Sequence, residues 1–253
     1  MKKLALCITL IASIAAPAAA FPGGEVTFDT DFARYREGKI VTLTLHNGTG
    51  ETITMENPWT IEDRRDGQTE SVYTWPDEEL VLAPGDDRVW RWEQNGGSCY
   101  GQCQSVQYGE PVGPGRYIGI ASTSAGDFAA PFEIGEFFTL GFTSRPDTKF
   151  IVYVNTPAEV TQMREQAAAA PEDKQIVSGI VRRGKRYNLL TPATEKRGDK
   201  PEWNFTMGPG SIVLGEAFIE VCDASPYYVQ EHRSEWLGDR WCPWSSYVEK
   251  VGR

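Results

Sequence analysis

Histidine, the commonest acid/base and metal-binding side chain, is scarce in this chain of 253 residues, whereas the 35 Asp and Glu residues are many but have no informative spacing. There are two histidines, His46 and His232. His46 is expected to have no partner, whereas His232 lies on a predicted helix that follows Glu220 and Asp223. These three residues could form an acid/base set or a metal site. Because no H-E-x-x-H or similar spacing accompanies them, we predict no metal and no cofactor, and a carboxylate-centred enzyme is the alternative hypothesis.

Other catalytic patterns are missing from the sequence. Residues 208–211 (GPGS) lack the G-x-S-x-G form of a nucleophile elbow and precede a predicted strand. No phosphate-binding glycine loop or dinucleotide fingerprint occurs. The sequence therefore favours a protein without a catalytic centre.

The first 20 residues are predicted to be a secretory signal peptide. Lys2 and Lys3 precede an apolar stretch, and three alanines end at Ala20, where cleavage is predicted. No other segment approaches 18 apolar residues, so no membrane span is expected. The mature chain is predicted to be secreted or periplasmic.

Four of the five cysteines remain after cleavage, because Cys7 lies within the signal peptide. An even number in an exported chain predicts two disulfides. Three connectivities are possible. We favour Cys99–Cys103 and Cys222–Cys242, because each pair falls within one half of the chain. A zinc site is the alternative, but the paired C-x2-C spacing of such sites is missing.

Charge divides the mature chain into two parts. Residues 21–136 contain 20 acids and 8 bases, a net charge of −12, whereas residues 137–253 contain 15 of each. We place a domain boundary at residue 136. The acidic half argues against nucleic-acid binding, which needs a basic face. This negative charge is typical of a domain that is kept soluble by charge or that attracts a cationic partner.

The N-terminal half reads as short strands separated by turns, which predicts an all-β sandwich. Four motifs occur in order: residues 41–47 (VTLTLHN), 82–86 (LAPGD), 90–94 (WRWEQ) and 109–117 (GEPVGPGRY). Together they resemble the BsuPI-type immunoglobulin-like domain, named for an intracellular proteinase inhibitor, over residues 25–134. The resemblance implies an immunoglobulin-like sandwich in which the Tyr117 hydroxyl bonds nearby backbone. It carries over no inhibitory residues.

A long loop, residues 95–114, interrupts this pattern. A Cys99–Cys103 bridge would close a small ring and present Tyr100 and Gln102 on a stiffened tip, which lowers the entropy cost of binding. This loop is a candidate recognition site. The alternative is that the disulfide only stabilises an inserted loop and has no role in binding.

The C-terminal half predicts a small α+β domain with a mainly antiparallel sheet. A hairpin is expected over residues 137–154, a helix from Thr156 to Ala170 with Pro and Glu in capping positions, a long strand over 212–221, and a second helix from Ser225 to about Trp236. The basic run at residues 182–186 is predicted to be a solvated strand end, an anion-binding patch or a contact to the acidic half.

Three further motifs, residues 217–224 (AFIEVCDA), 228–232 (YVQEH) and 241–246 (WCPWSS), form a dense signature. With residues 186–188 and 201–205 they resemble a small secreted domain of bacterial and slime-mould proteins, over about 138–250. The resemblance implies a Cys222–Cys242 bridge and no reaction. Trp241 and Trp244 would then pack in the core or form an exposed platform for a sugar or peptide.

These observations predict an all-β immunoglobulin-like sandwich followed by a small disulfide-tied α+β domain. The leading functional hypothesis is an exported, non-catalytic recognition protein with a protein or glycan partner, such as a proteinase inhibitor or an adaptor. The alternatives are a cell-envelope enzyme and a surface adhesion or structural protein.

Overall fold

The computed structural model describes residues 24–55, 59–75, 79–98, 107–184 and 203–252. In these ranges the chain is mostly β, with several sheets and few helices. The strands of the first half are β1 (Val26–Thr30), β2 (Arg34–Arg36), β3 (Val41–Asn47), β4 (Ile53–Met55), β5 (Thr60–Asp63), β6 (Glu70–Thr74), β7 (Leu80–Leu82), β8 (Asp87–Trp92), β9 (Asn95–Ser98), β10 (Gln107–Pro111) and β11 (Gly115–Thr123). The signal segment and the Cys99–Cys103 loop lie outside the described residues.

A single long strand, β12 (Gly126–Phe142), leads from the first half into the second. The remaining elements are β13 (Phe150–Val154), α1 (Pro157–Ala168), β14 (Ile176–Arg183), β15 (Phe205–Met207), β16 (Val213–Gly215), α2 (Pro226–Glu231), α3 (Arg233–Trp236), β17 (Arg240–Trp241) and β18 (Ser246–Val251). Short 3-10 turns occur at Arg65–Gly67, Pro171–Asp173 and Glu220–Cys222.

Two large sheets and a two-stranded one, β4-β7, enclose the core of the first half. One large sheet has the order β1-β3-β8, and the other contains β10-β9-β6-β5-β11-β12. Alternate residues of β3 are buried, as expected for a strand with one face on a core. Aromatic rings pack between the two large sheets. The ring centroid of Trp92 on β8 lies 6.0 Å from those of Tyr73 on β6 and Phe132 on β12. The predicted packing of strands around one core is therefore present, in a largely antiparallel arrangement.

Tyr117 occupies the position that its motif predicted. Its ring is buried, and its hydroxyl donates a hydrogen bond to the carbonyl oxygen of Gly113, four residues upstream, at 2.6 Å. The bond fixes the chain where it enters β11. The Tyr117 side chain is thus structural.

The C-terminal core packs around β12, β13 and the antiparallel set β15-β14-β16 with β17. Trp241 lies at its centre, with its ring 5.1 Å from Phe150 and 5.3 Å from Phe205. Val160 and Met163 of α1 are buried against the same cluster. The predicted combination of a mainly antiparallel sheet with short helices is observed.

Two predictions for this half are wrong. The expected long strand over residues 212–221 is reduced to β16, which is followed by irregular chain and a 3-10 turn. The end of this segment does not pack in a sheet, since Ile219 and Val221 are exposed. The expected helix from Ser225 to Trp236 is two short helices, α2 and α3, interrupted at His232, whose φ and ψ are −105° and 26°.

The start of α1 follows its sequence signal closely. Thr156 caps the helix and Pro157 takes the first position. The buried Glu159 carboxylate accepts hydrogen bonds from the Thr156 hydroxyl at 2.7 Å and from the backbone N–H groups of Gly210 and Ile212, at 2.8 and 2.7 Å. Glu159 therefore ties the loop after β15 to the helix.

The two cores separate between Ile134 and Phe137, but no linker lies between them. The strand β12 pairs with β11 through residue 134 and with β13 from residue 136 onwards. Gly135 marks this change of partner. A Cβ atom there would lie 2.1 Å from the carbonyl oxygen of Val154, so only glycine permits the approach.

Polar contacts cross the same junction. The Arg36 guanidinium lies 2.7 Å from the buried carboxylate of Glu136, and Arg164 of α1 pairs with Glu37. The Tyr153 hydroxyl donates a hydrogen bond to the carbonyl oxygen of Tyr35 at 3.2 Å. These contacts fix the two cores to each other along β12.

Candidate functional site

A disulfide joins two segments of the C-terminal half, as predicted. Cys222 ends the 3-10 turn at Glu220–Cys222, and Cys242 follows β17; their Cα atoms are 5.2 Å apart. The backbone N–H of Cys242 also donates to the carbonyl oxygen of Cys222 at 2.9 Å. The predicted Cys222–Cys242 pairing is confirmed.

The residues around this bridge have very different environments. Trp241 is fully buried, and its indole N–H donates to the carbonyl oxygen of Ala224 at 2.8 Å. Trp244 is 42% exposed, and its backbone N–H donates to Asp223 Oδ1 at 2.9 Å. Of the two tryptophans proposed as a platform, Trp241 belongs to the core and only Trp244 offers a surface.

Two aliphatic residues that precede Cys222 are exposed at the surface of the molecule. Ile219 is 70% exposed and Val221 is 79% exposed. The disulfide, the Cys242–Cys222 backbone bond and the bond from the Trp244 N–H to the Asp223 carboxylate fix their segment against the one that carries Trp244. We call Ile219, Val221 and Trp244 the disulfide-anchored surface. Exposed carboxylates lie beside it along the chain, at Glu216, Glu220 and Asp223.

The predicted acid/base residues do not form a metal site. Asp223 accepts a bond from Trp244, and the His232 ring stacks on Tyr228 with centroids 4.1 Å apart while its Nδ1 lies 3.0 Å from the Tyr228 carbonyl oxygen. Glu220 is exposed at the start of its turn. In the described ranges no three His, Cys, Asp or Glu residues are grouped so as to hold a metal ion.

The structure also locates the remaining candidates. Tyr100 and Gln102 lie outside the described residues, as does the Cys99–Cys103 pair. His46 is not isolated, contrary to expectation, because its Nδ1 lies 2.6 Å from Asp87 Oδ1. Arg182 and Arg183 are exposed and form no salt bridge with the acidic half within the described parts of the chain.

Sequence reasoning missed the exposure of Ile219 and Val221. Their apolar character next to Phe218 favoured a buried strand, and no local signal distinguishes that from an exposed turn held by a disulfide. The cysteine at position 222 was the one available indication that the segment is fixed by a covalent bond rather than by a sheet.

Three buried tyrosines lie near the junction and give a test of the core. Burial raises the pKa of Tyr35, Tyr117 and Tyr153 well above the ordinary value, and the bond from Tyr35 to the Asp31 carboxylate adds to the effect for that residue. Neutral phenols are thus favoured in the folded state. Their contribution to stability is complete below the unfolded pKa of about 10 and is lost as pH rises above it.

We therefore expect the free energy of unfolding to fall as pH rises above about 10. Urea unfolding at a series of pH values measures this, and absorbance of phenolate follows the titration in the folded and urea-unfolded chain. If every tyrosine of the folded protein ionised at the same pH as in the unfolded chain, the raised pKa of these three buried tyrosines would be contradicted.

Comparison with known proteins gives one match at the level of families. Residues 137–252 match the model of the BP-74 N-terminal domain. This range agrees with the span of the second resemblance drawn from the motifs. The BsuPI-type resemblance of the first half rests on its motifs alone. No curated protein matches the chain.

Solved structures show only distant likeness. The chain has 15% identity to the alkylpurine DNA glycosylase AlkC of Pseudomonas fluorescens bound to DNA containing an abasic site analog, covering 46% of this chain and 32% of that one, with a TM-score of 0.27. For a mutant β-glucosidase of Listeria innocua in complex with laminaribiose the identity is 15%, the coverages are 44% and 16%, and the TM-score is 0.25.

A third likeness is to Spo0M, a sporulation control protein of Bacillus subtilis. The identity is 13%, the match covers 55% of this chain and 71% of that one, and the TM-score is 0.27. This chain thus spans a third or less of the first two proteins. TM-scores at this level do not establish a shared fold.

No helix in the described ranges is long and apolar enough to cross a membrane.

Proposed function

We propose that this chain is an exported, non-catalytic recognition protein that binds a protein partner through the disulfide-anchored surface. The observation that supports the proposal is the exposure of Ile219 and Val221 on a segment held by the Cys222–Cys242 bridge. A partner that covers these exposed aliphatic side chains removes apolar surface from water, which favours binding. A segment that is already fixed loses little entropy when it binds.

The expected partner presents apolar side chains surrounded by basic ones. Glu216, Glu220 and Asp223 lie beside the apolar residues and are exposed. A complementary positive rim would increase the association rate and exclude partners with acidic rims. Trp244 adds an aromatic side chain of the type enriched in the energetic centres of interfaces.

Export and the domain types are part of the same proposal. The disulfide is consistent with an oxidising compartment, and the first 20 residues have the order of a secretory signal. We propose an immunoglobulin-like, BsuPI-type sandwich for residues 21–136, on the basis of its motifs. An inhibitory role would use the loop with Tyr100 and Gln102; since this loop lies outside the described residues, the proposed partner surface involves the C-terminal half alone.

We expect the double variant I219S/V221S to lose its partner while keeping its fold. Immobilised mature protein captures binding proteins from envelope extract, and the affinity of each captured protein is then measured with purified components. The variant should bind the relevant partner about tenfold more weakly or worse, because two buried aliphatic contacts are lost. Both positions are exposed, so stability should change by less than about 0.5 kcal/mol.

The matched control is V81S/V89S, which replaces two valines of the first half that are 58% and 52% exposed. It should retain wild-type affinity. If every captured protein binds the wild type and both double variants equally, the disulfide-anchored surface is not the recognition site.

A further inference from the structure

Two clefts meet at the junction of the two cores. The first, of about 470 Å³, lies between the 3-10 turn after β5 and the start of α1. The second, of about 600 Å³, lies along β2, β11 and β12 and reaches Arg183 at the end of β14. Both are lined by Arg64 and Arg116, so the clefts adjoin. Their sizes are typical of pockets for small molecules.

The charges that line these clefts are nearly all positive. Five arginines take part, with one carboxylate: Arg34, Arg64, Arg65, Arg116, Arg183 and Glu133. Four of these arginines belong to residues 21–136, which contain only 8 bases against 20 acids. Half of the basic residues of the acidic domain are thus gathered at one place. The concentration favours an anionic ligand.

Neighbouring acids lie against three of the guanidinium groups. Arg34 lies 2.9 Å from Glu133, Arg64 lies 2.8 Å from Glu62, and Arg65 pairs with Asp63. A guanidinium has five N–H donors, so Arg64, whose side chain is 47% exposed, presents donors beyond its contact with Glu62. Arg116 is exposed and forms no salt bridge within the described part of the chain.

A buried donor on the wall of the first cleft lacks an acceptor. Asn155 is only 4% exposed, and its Nδ2 has no hydrogen-bond partner among the described residues. It directly precedes Thr156 and Pro157, which begin the 12-residue helix α1. Unsatisfied buried amides are rare in folded proteins.

We propose that the junction clefts bind a small molecule that carries a phosphate or sulfate group. Arg64 and Arg116, shared by both clefts, contact the tetrahedral oxyanion, because planar guanidinium groups match it with paired hydrogen bonds. The Asn155 amide supplies a further donor from the C-terminal core. The ligand thus contacts both cores, and its site is independent of the disulfide-anchored surface.

Isothermal titration of the mature chain tests this at constant ionic strength, with inorganic phosphate, sulfate, glucose 6-phosphate and glucose as probes. We expect the three oxyanions to bind and glucose not to bind, and the stronger of phosphate and sulfate identifies the ester class. R116Q should weaken binding about tenfold or more, which corresponds to the loss of one charge-assisted hydrogen bond. N155D, which places a negative charge at the buried amide, should weaken it similarly.

R91Q is the matched control, since Arg91 is exposed on β8 and lines neither cleft. It should bind within about twofold of wild type. I219S/V221S should also bind normally, which separates this result from the partner experiment. Lack of binding to every oxyanion at millimolar concentration would overturn the proposal, and so would equal weakening by R91Q and R116Q.

Discussion

Replacing Gly135 with alanine should lower the free energy of unfolding by about 3 kcal/mol. The added Cβ would lie 2.1 Å from the carbonyl oxygen of Val154 and 3.0 Å from the Cα of Asn155. Both neighbours are backbone atoms, so the rotation of a side chain cannot relieve the clash. Relief requires that β12 and β13 separate at the point where the two cores meet, which disturbs the chain that leads into α1.

Urea unfolding of the wild type and G135A measures this loss. Gly50→Ala is the control, because a Cβ there meets nothing within 4 Å; its stability should stay within about 0.5 kcal/mol of wild type. Equal stability of G135A and the wild type would mean that the cores do not approach each other as closely as the structure has them.

Truncating Trp241 to alanine should cost about 3–5 kcal/mol of stability, the range observed for buried large aromatics. Its ring is fully buried among Phe142, Phe150 and Phe205. The variant also leaves the carbonyl oxygen of Ala224 without its indole donor. A cavity in the centre of the C-terminal core is the main cause of the expected loss.

Trp244 provides a close comparison in the same motif. Because its side chain is 42% exposed, W244A should change the free energy of unfolding by less than about 1 kcal/mol. Denaturant unfolding of both variants gives the two values. Similar losses for W241A and W244A would contradict the division of this motif into one core residue and one surface residue.

Strands with one buried face were well predicted from the sequence. In β3, alternate apolar residues specify which side faces the core, and the structure has the same alternation. The role of Tyr117 was predicted from the family resemblance to which the motif at residues 109–117 contributes. In each case the relevant information lies within a few residues, so local chemistry is sufficient.

Other elements could not be predicted, because they depend on residues far apart in the chain. The hairpin expected over residues 137–154 begins much earlier, since β12 is continuous from Gly126. Nothing local indicates that one strand serves two cores. The segment 212–221 is apolar enough for a strand, but no neighbouring strand is available on its outer side within the described residues, and Ile219 and Val221 remain exposed.

The candidate sites divide in the same way. Cys222 and Cys242 were paired correctly because composition and chain order limit the possible pairings. The acid/base set of Glu220, Asp223 and His232 lacked a supporting spacing, and no metal-binding group forms there within the described residues. The arginines of the junction clefts carry no motif, because their positions are separated by up to 149 residues between Arg34 and Arg183.

The sequence by itself determined the strand-rich first half, the helix start at Thr156, the C-terminal disulfide and the unequal charge of the two halves. These depend on local alternation, capping chemistry and counts. Only the tertiary structure decided that Trp241 is buried while Trp244 is exposed, that Gly135 lies against Val154, and that arginines from both halves line a common cleft. Such features follow from which surfaces meet, and contacts between distant segments are set by packing of the whole chain rather than by any local pattern.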